Sequence, residues 1–368
     1  MSHPGIANIV PELSDLELAV FVCLASQEHC LIETQHDGVD DLAKELALIS
    51  SSTFGLSYAL LDCSSDMSLD DFSGGILASA TDRSEHHPST YAKSSDYYPS
   101  FRSVHDTRSA RTTIGDNYLD ERKTANVVIA KNFNDASVQV QIQALELLRS
   151  GRIFTRNAVH STPAAFIFIP VVSSSNEKSR PKPLNKHLND HIFISHFHDP
   201  QDGYPNLEGD DSISDNQASI SSVVRKPNFI PSKRAINGHA ITREAIAEIR
   251  HMCNSVTVSA EVARYLQDIV VFLRLNRAVL GGISAKATNH LLRLSKCLAS
   301  LHGLDYVTPS IVALAAKKVY RHRITVVSPE QDRSLLYGSD EAAVSKLLKG
   351  VTPDIIIENV LGDIEAPL

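Results

Sequence analysis

The residues able to do chemistry fall into a few short groups. His196-Phe197-His198-Asp199 places two imidazoles two residues apart. On a strand that spacing puts both rings on one face, which suits zinc. No cysteine or acid pair stands at ligand spacing beside them, so the alternative is adopted: histidines at the edge of a linker, among sixteen scattered along the chain. Asp40 and Asp41 open a helical pattern, where carboxylates complement the partial positive charge of a helix start. Lys131 and Asn132 close the apolar run Asn126–Lys131. His86 and His87, with Tyr91, Tyr97, Tyr98, Arg102, Arg108 and Arg111, mix aromatic and basic groups able to touch nucleic acid or a protein; a solvated loop is the reading adopted. No Gly-x-Ser-x-Gly is present, and Cys23, Cys30, Cys63, Cys253 and Cys297 show no CxxC spacing.

The elements that must position these groups change character midway. In the first half, short apolar runs alternate with helical patterns. Strands are expected at 28–33, 57–63, 126–131, 165–172 and 191–195. Helices are expected at 40–50, with Leu42, Leu46 and Ile49 on one face, and at 139–149, with Ile142, Leu145 and Leu148 inward. Such alternation predicts an α/β domain with a mostly parallel sheet. From Arg243 to about Gly350 the patterns are helical only. Val262, Leu266, Ile269, Val270 and Leu273 share a face, as do Leu291, Leu294 and Leu298. Thr308-Pro309 opens a further helix through Ile311, Leu314, Ala315 and Val319, with Thr as cap and Pro in the first turn. Polar stretches at 81–118, 173–187 and 199–240 read as insert, connector and linker. The organisation expected is a core over 1–198, a linker over 199–240, a helical lid over 241–350 and a tail over 351–368.

Three signals stand in order along the second half: Gly281-Gly282-Ile283-Ser284-Ala285-Lys286-Ala287, Asp305-Tyr306-Val307-Thr308-Pro309 and Tyr320-Arg321-His322-Arg323-Ile324. Together they resemble the lid of MoxR-type and magnesium-chelatase-type AAA+ proteins. Thr352-Pro353-Asp354 through Ala366-Pro367 is similar to the end of MoxR proteins. In the first half, His29–Glu33, Asn126–Ala136, Gln139–Arg149 and His187–His191 resemble the strand before the phosphate loop, the Walker B region, the helix after it and the arginine-finger segment. The resemblance implies a P-loop-like AAA+ core with an all-helical lid, and a nucleotide site at named positions. The loop corresponds to Thr34–Leu42, where Gly38 is out of register, Asp40 stands for the lysine and Asp41 for the threonine. Lys131 and Asn132 stand for the Walker B acids, Ser173 for the first sensor, His191 for the finger and Lys286 for the second sensor.

That chemistry needs a lysine on the phosphates, a hydroxyl and an acid on magnesium, and an acid to orient water. Two carboxylates facing a triphosphate repel it. Lysine does not bind magnesium, and asparagine is not a base. Conventional ATP hydrolysis is therefore not expected, and the degenerate positions suggest a scaffold, adaptor or regulatory subunit acting on protein partners, including AAA+ ring subunits. An ion pair of Lys131 with Asp40 or Asp41 is expected from neighbouring strand ends. The alternative is an active MoxR-like or magnesium-chelatase-like ATPase driving remodelling or metal insertion; only there do ATP and Mg²⁺ enter as cofactors.

Composition bounds the rest. Hydrophobic residues make up 43% of 368, enough for a sizeable core, and charged residues 21%. A net charge of −8 argues against a nucleic-acid backbone as main partner. No run approaches the ~18 apolar residues of a membrane span. No signal peptide is readable in Met1–Leu13. Five thiols in apolar stretches suit a reducing compartment, so a cytoplasmic or nuclear setting is expected.

Overall fold

A computed structural model describes residues 13–78, 123–155, 158–174, 182–208 and 241–367. The expected insert at 81–118, and parts of the connector and linker, lie outside these residues.

The first helix, α1 (Asp15–Ser26), is absent from the expectations above. Ser14 and Glu17 close a reciprocal capping box at its start. Val20, Phe21, Val22, Cys23 and Leu24 are all buried, so apolar residues surround the helix. A helix buried all round shows no amphipathic period, which is why the sequence pattern hid it.

Next come β1 (His29–Gln35), a 3₁₀ turn at His36–Gly38, α2 (Val39–Leu48) and β2 (Tyr58–Asp62). They are followed by α3 (Leu69–Ile76), the two-residue strands β3 (Leu77–Ala78) and β4 (Lys123–Thr124), then β5 (Val127–Lys131). After α4 (Val138–Ser150), a hairpin of β6 (Arg152–Phe154) and β7 (Val159–Ser161) leads to β8 (Ile167–Ser174), α5 (Lys186–His191) and β9 (Ile192–Phe197). Five strands form one sheet in the order β2-β5-β8-β1-β9, and every pairing is parallel. Ile32, Val127, Val128, Ile129, Phe168 and Ile169 are fully buried, as a sheet covered on both faces requires.

Two details depart from expectation. Helix α4 turns Val140, Ala144 and Leu147 inward, whereas Ile142 is 51% exposed. Residues 199–208, expected in the linker, fold back on the core: a short α6 (Pro205–Glu208) docks on α2 through Glu45, which accepts from Asn206 N (3.1 Å) and Leu207 N (2.8 Å).

The second half is helical as expected: α7 (Arg243–Ser255), α8 (Ala260–Leu275), α9 (Ala285–Leu301), α10 (Pro309–Tyr320) and α11 (Glu341–Leu348). Thr308 caps α10 with Pro309 in its first turn. The expected inward faces hold for Val262, Leu266, Ile269, Val270 and Leu273. Leu314 is 44% exposed instead. The patterns also concealed a two-stranded ribbon, β10 (Val279–Gly281) with β11 (Thr325–Val326), whose strands are too short to show a period of two. Gly282 follows the ribbon at φ +104°, and a Cβ there would stand 2.0 Å from the Arg323 carbonyl oxygen, so only glycine fits. The tail carries α12 (Pro353–Asp363), which packs Ile356, Ile357 and Val360 into the core.

Candidate functional site

In a parallel sheet, residues that follow strands gather at one edge and residues that precede strands at the other. Gly38, Asp40, Asp41 and Asn132 follow strands, and Lys131 and Ser173 stand at the ends of theirs. His191 precedes β9. The eight positions expected to form one site therefore divide between two edges.

At the edge where strands end, Asp62 and Lys131 stand side by side in register. The Lys131 ammonium lies 2.7 Å from Asp40 Oδ1 and 3.2 Å from Asp62 Oδ2. Its side chain is almost buried, while both carboxylates face solvent. Burial disfavours its charge, but the two carboxylates outweigh burial, and the Lys131 pKa is raised. The hydrogen bond from Lys131 in turn lowers the pKa of Asp40. The expected pair thus forms with Asp40; Asp41 turns away to Lys44 at 2.9 Å. The strand ends of β1 and β5 are not neighbours, because β8 lies between them. Asp40 reaches Lys131 from the first turn of α2, where its charge also faces the helix start.

Asn132 adopts a left-handed conformation (φ 51°) that turns the chain off β5. Ser173 Oγ lies 3.4 Å from Asn132 Oδ1 and 3.4 Å from His36 Nδ1, joining the ends of β8 and β5 to the turn after β1. Gly38 has a packing role: a Cβ there would meet Pro200 Cγ at 2.7 Å and Tyr204 Oη at 2.9 Å. Tyr204 Oη donates to the Gly38 carbonyl at 3.2 Å. The segment after β9 thus covers the turn that leads into α2. Replacing Lys131 with methionine should move the Asp40 pKa back up toward the ordinary carboxylate range, read by NMR titration of its carboxyl carbon. Stability should change by less than about 1 kcal/mol, because the partners are exposed. An Asp40 titration identical in both proteins would show that the ion pair does not form in solution.

At the other edge, Lys286 Nζ donates to His191 Nδ1. Burial first, and then the Lys286 charge, push His191 down to about 4, so the ring is neutral at pH 7. Around them lie Glu28, Asp190, His290, Arg293 and Arg323. Arg293 pairs with Glu28, Ser284 Oγ donates to Asp190, and Arg323 Nε lies 3.8 Å from Asp190 Oδ1. This is a polar seam between sheet and lid. Seven-residue β1 runs from Glu28's side to the Asp40 side, so the two clusters stand on the order of 20 Å apart.

Sequence reasoning missed Asp62, though it ends a strand as Lys131 does, and it missed Glu28 and Arg293. For the histidines at 196 and 198, Lys318 lies 3.3 Å from His196 Nδ1, and the His198 ring packs on Tyr204. Among the described residues no group of three or more His, Cys, Asp or Glu could hold a metal ion, and no helix is long and apolar enough to cross a membrane.

Residues 272–347 match the family model of the AAA lid domain. The protein called Maintenance of telomere capping protein 2 from Saccharomyces cerevisiae is 34% identical over 101 residues, which is 26% of this chain and 28% of that protein. Its namesake from Kluyveromyces lactis is 28% identical over 100 residues, 26% of this chain and 36% of that protein. The chain thus spans well under half the length of these curated relatives. The crystal structure of a "putative ATPase" from Cytophaga hutchinsonii superposes with a TM-score of 0.61 at 15% identity, over 99% of this chain and 96% of that one. At that identity the likeness is one of fold. In fold, this chain is a parallel α/β core followed by a helical domain, the architecture it shares with the Cytophaga protein, and the helical domain carries the match to the AAA lid model.

Proposed function

We propose that this chain is an AAA+ protein that does not hydrolyse ATP and works through protein contacts, as a scaffold, adaptor or regulatory subunit, including within a ring of AAA+ subunits. One observation carries the reading: the Lys131 ammonium sits between Asp40 and Asp62 at the strand ends, where an AAA+ ATPase would hold magnesium and triphosphate. Magnesium needs carboxylate oxygens facing it, and here a cation already engages both carboxylates. A triphosphate needs a loop of free backbone N–H groups and a lysine. Here Asp40 occupies the helix start, and Pro200 and Tyr204 fill the space over Gly38. The donor set does not fit a magnesium-bound triphosphate. His191 and Lys286 lie at the opposite edge and are tied to each other, so within one chain neither reaches a phosphate at Asp40.

The name shared by the yeast relatives suggests a setting, the maintenance of telomere capping, which agrees with the nuclear half of the expected localisation. The second reading, an active MoxR-like or magnesium-chelatase-like ATPase, draws on the fold shared with the Cytophaga protein.

Isothermal titration of the full chain with ATP and Mg²⁺, alongside phosphate release, separates the two. The expected result is binding weaker than about 1 mM and no turnover. Micromolar binding or release of phosphate by the unaltered chain would overturn the reading. A Lys131→Asp, Asn132→Glu variant tests the cause, because restoring acids without a loop lysine should restore divalent-cation affinity but not turnover.

A further inference from the structure

The segment that leaves β9 crosses the turn His36–Gly38 and ends on α2, and what holds it there is polar. The His198 backbone N–H donates to the Glu33 carbonyl (2.9 Å), which fixes where the segment starts. Tyr204 Oη donates to the Gly38 carbonyl (3.2 Å). At the far end the Glu45 carboxylate accepts three bonds: from the Asn206 backbone N–H (3.1 Å), from Asn206 Nδ2 (2.8 Å) and from the Leu207 backbone N–H (2.8 Å). Glu45 is fully buried in α2, and among the described residues its carboxylate accepts from this segment alone. Tyr204 packs on the core from a partly buried position, whereas Gln201, Asp202 and Pro205 face solvent.

The closed position also carries a cost. Thr34 Oγ1 and His198 Nε2 are buried and have no hydrogen-bond partner among the described residues. Thr34 is 2% exposed, and its hydroxyl lies 3.2 Å from where a Gly38 Cβ would stand, beside the space that Pro200 and Tyr204 fill. The His198 ring lies against Tyr204. Burying polar groups unpaired costs free energy, and lifting the segment would return both to water. A stretch held by a few polar bonds, with little buried apolar surface, opens while the core around it stays folded.

We propose that residues 199–208 are an autoinhibitory latch, which Glu45 holds shut over the turn before α2 and which swings away without unfolding of the sheet. The latch deepens the reading above and rests on it for the place of the nucleotide position, which the latch covers in cis. Opening uncovers acceptors, the Glu45 carboxylate and the Gly38 carbonyl, beside the exposed Asp41. Such a surface takes a protein segment rich in N–H donors, as it takes its own Asn206 and Leu207, and repels a triphosphate.

Two variants open the latch from opposite sides. Gly38→Ala pushes from below, because its Cβ would stand 2.7 Å from Pro200 Cγ and 2.9 Å from Tyr204 Oη. Gly38 lies at φ −92°, ψ −3°, which alanine also adopts. Glu45→Gln loosens the far end, since an amide turns a donor toward one of the N–H groups that the carboxylate accepted. Hydrogen exchange of the full chain, read by mass spectrometry, measures the outcome. In wild type the Asn206 and Leu207 amides should exchange at least about tenfold faster than those of β1 and β5. Both variants should speed them about tenfold further while β1 and β5 keep their rates, and Gly38→Ala should melt within about 3 °C of wild type. If Glu45→Gln does not fold, wild type and Gly38→Ala decide. The proposal falls if the Asn206 and Leu207 amides exchange at the rate of β1 and β5 in wild type. It falls too if Gly38→Ala leaves them unchanged or speeds the sheet equally. Micromolar ATP binding that appears in Gly38→Ala alone would uphold the latch and overturn the reading that the donor set rejects a triphosphate, so the two fail separately.

Discussion

Replacing Arg323 with leucine will cost on the order of 4 kcal/mol and lower the melting temperature by roughly 10 °C. The residue is 4% exposed, and its guanidinium holds the seam between sheet and lid. It donates to the carbonyls of Val319 in α10, Ile192 and Phe193 in β9 and Asp190 in α5, and to His290 Nδ1 in α9. Leucine matches the aliphatic stem but leaves these acceptors in a dry interior without donors, the expensive way to lose a hydrogen bond. Arg323→Lys should recover less than half of the loss, because a single ammonium cannot span acceptors on four elements. Thermal unfolding of the three proteins reads the series. A leucine variant within 1 °C of wild type would mean that water replaces the guanidinium and the seam is not sealed.

The seam also shows what the sequence could disclose. The resemblance marked Tyr320-Arg321-His322-Arg323-Ile324 as a unit, but no local pattern says which of its cations turns inward. Arg321 reaches Glu33 and Asp354 at the surface, whereas Arg323 is buried two residues later. The Lys131–Asp40 pair was legible because both residues stand at or beyond the ends of apolar strands and carry opposite charge. The reason given for it was incomplete, because helix α2 and not strand adjacency brings Asp40 across β8. The division of the site was legible in principle as well: His191 precedes an apolar run whereas Lys131 and Ser173 follow theirs, and a parallel sheet sends these to opposite edges. The contribution of Asp62 needed the register of β2 on β5, which depends on pairing across sixty-nine residues. Helix α1 was hidden by its own burial, and the fold of residues 199–208 by its polar composition.

The same seam makes the protein acid-sensitive. Burial, reinforced by Lys286, Arg323 and Arg293, pushes His29 down to about 3 and His290 to about 2; His191 stands at about 4 and His322 well below its ordinary value. The bonding fits neutral rings. The Phe168 backbone N–H donates to His29 Nδ1 and Arg323 donates to His290 Nδ1, so neither nitrogen carries a proton. The unfolded chain takes up these protons near pH 6.5, and the folded chain resists until far lower pH. Stability from this source is therefore complete above pH 6.5 and falls as pH drops toward the folded values. Each buried ring contributes a slope that rises to about 1.4 kcal/mol per pH unit below the unfolded pKa, so His29 and His290 together account for about 3 kcal/mol between pH 6.5 and 5. Glu28 works in the opposite direction: burial raises its pKa against the pull of Arg293 and Lys286, so acid partly relieves its buried charge. The Asp40 contribution disappears only below the ordinary carboxylate range and leaves this window clear. Urea unfolding from pH 7 to 5 should show a steep loss for wild type and a smaller one for His290→Gln, whose amide oxygen can still accept from Arg323. If the two profiles coincide, His290 takes up its proton in the folded state as readily as in the unfolded chain, and the ring is not held neutral by the cations around it.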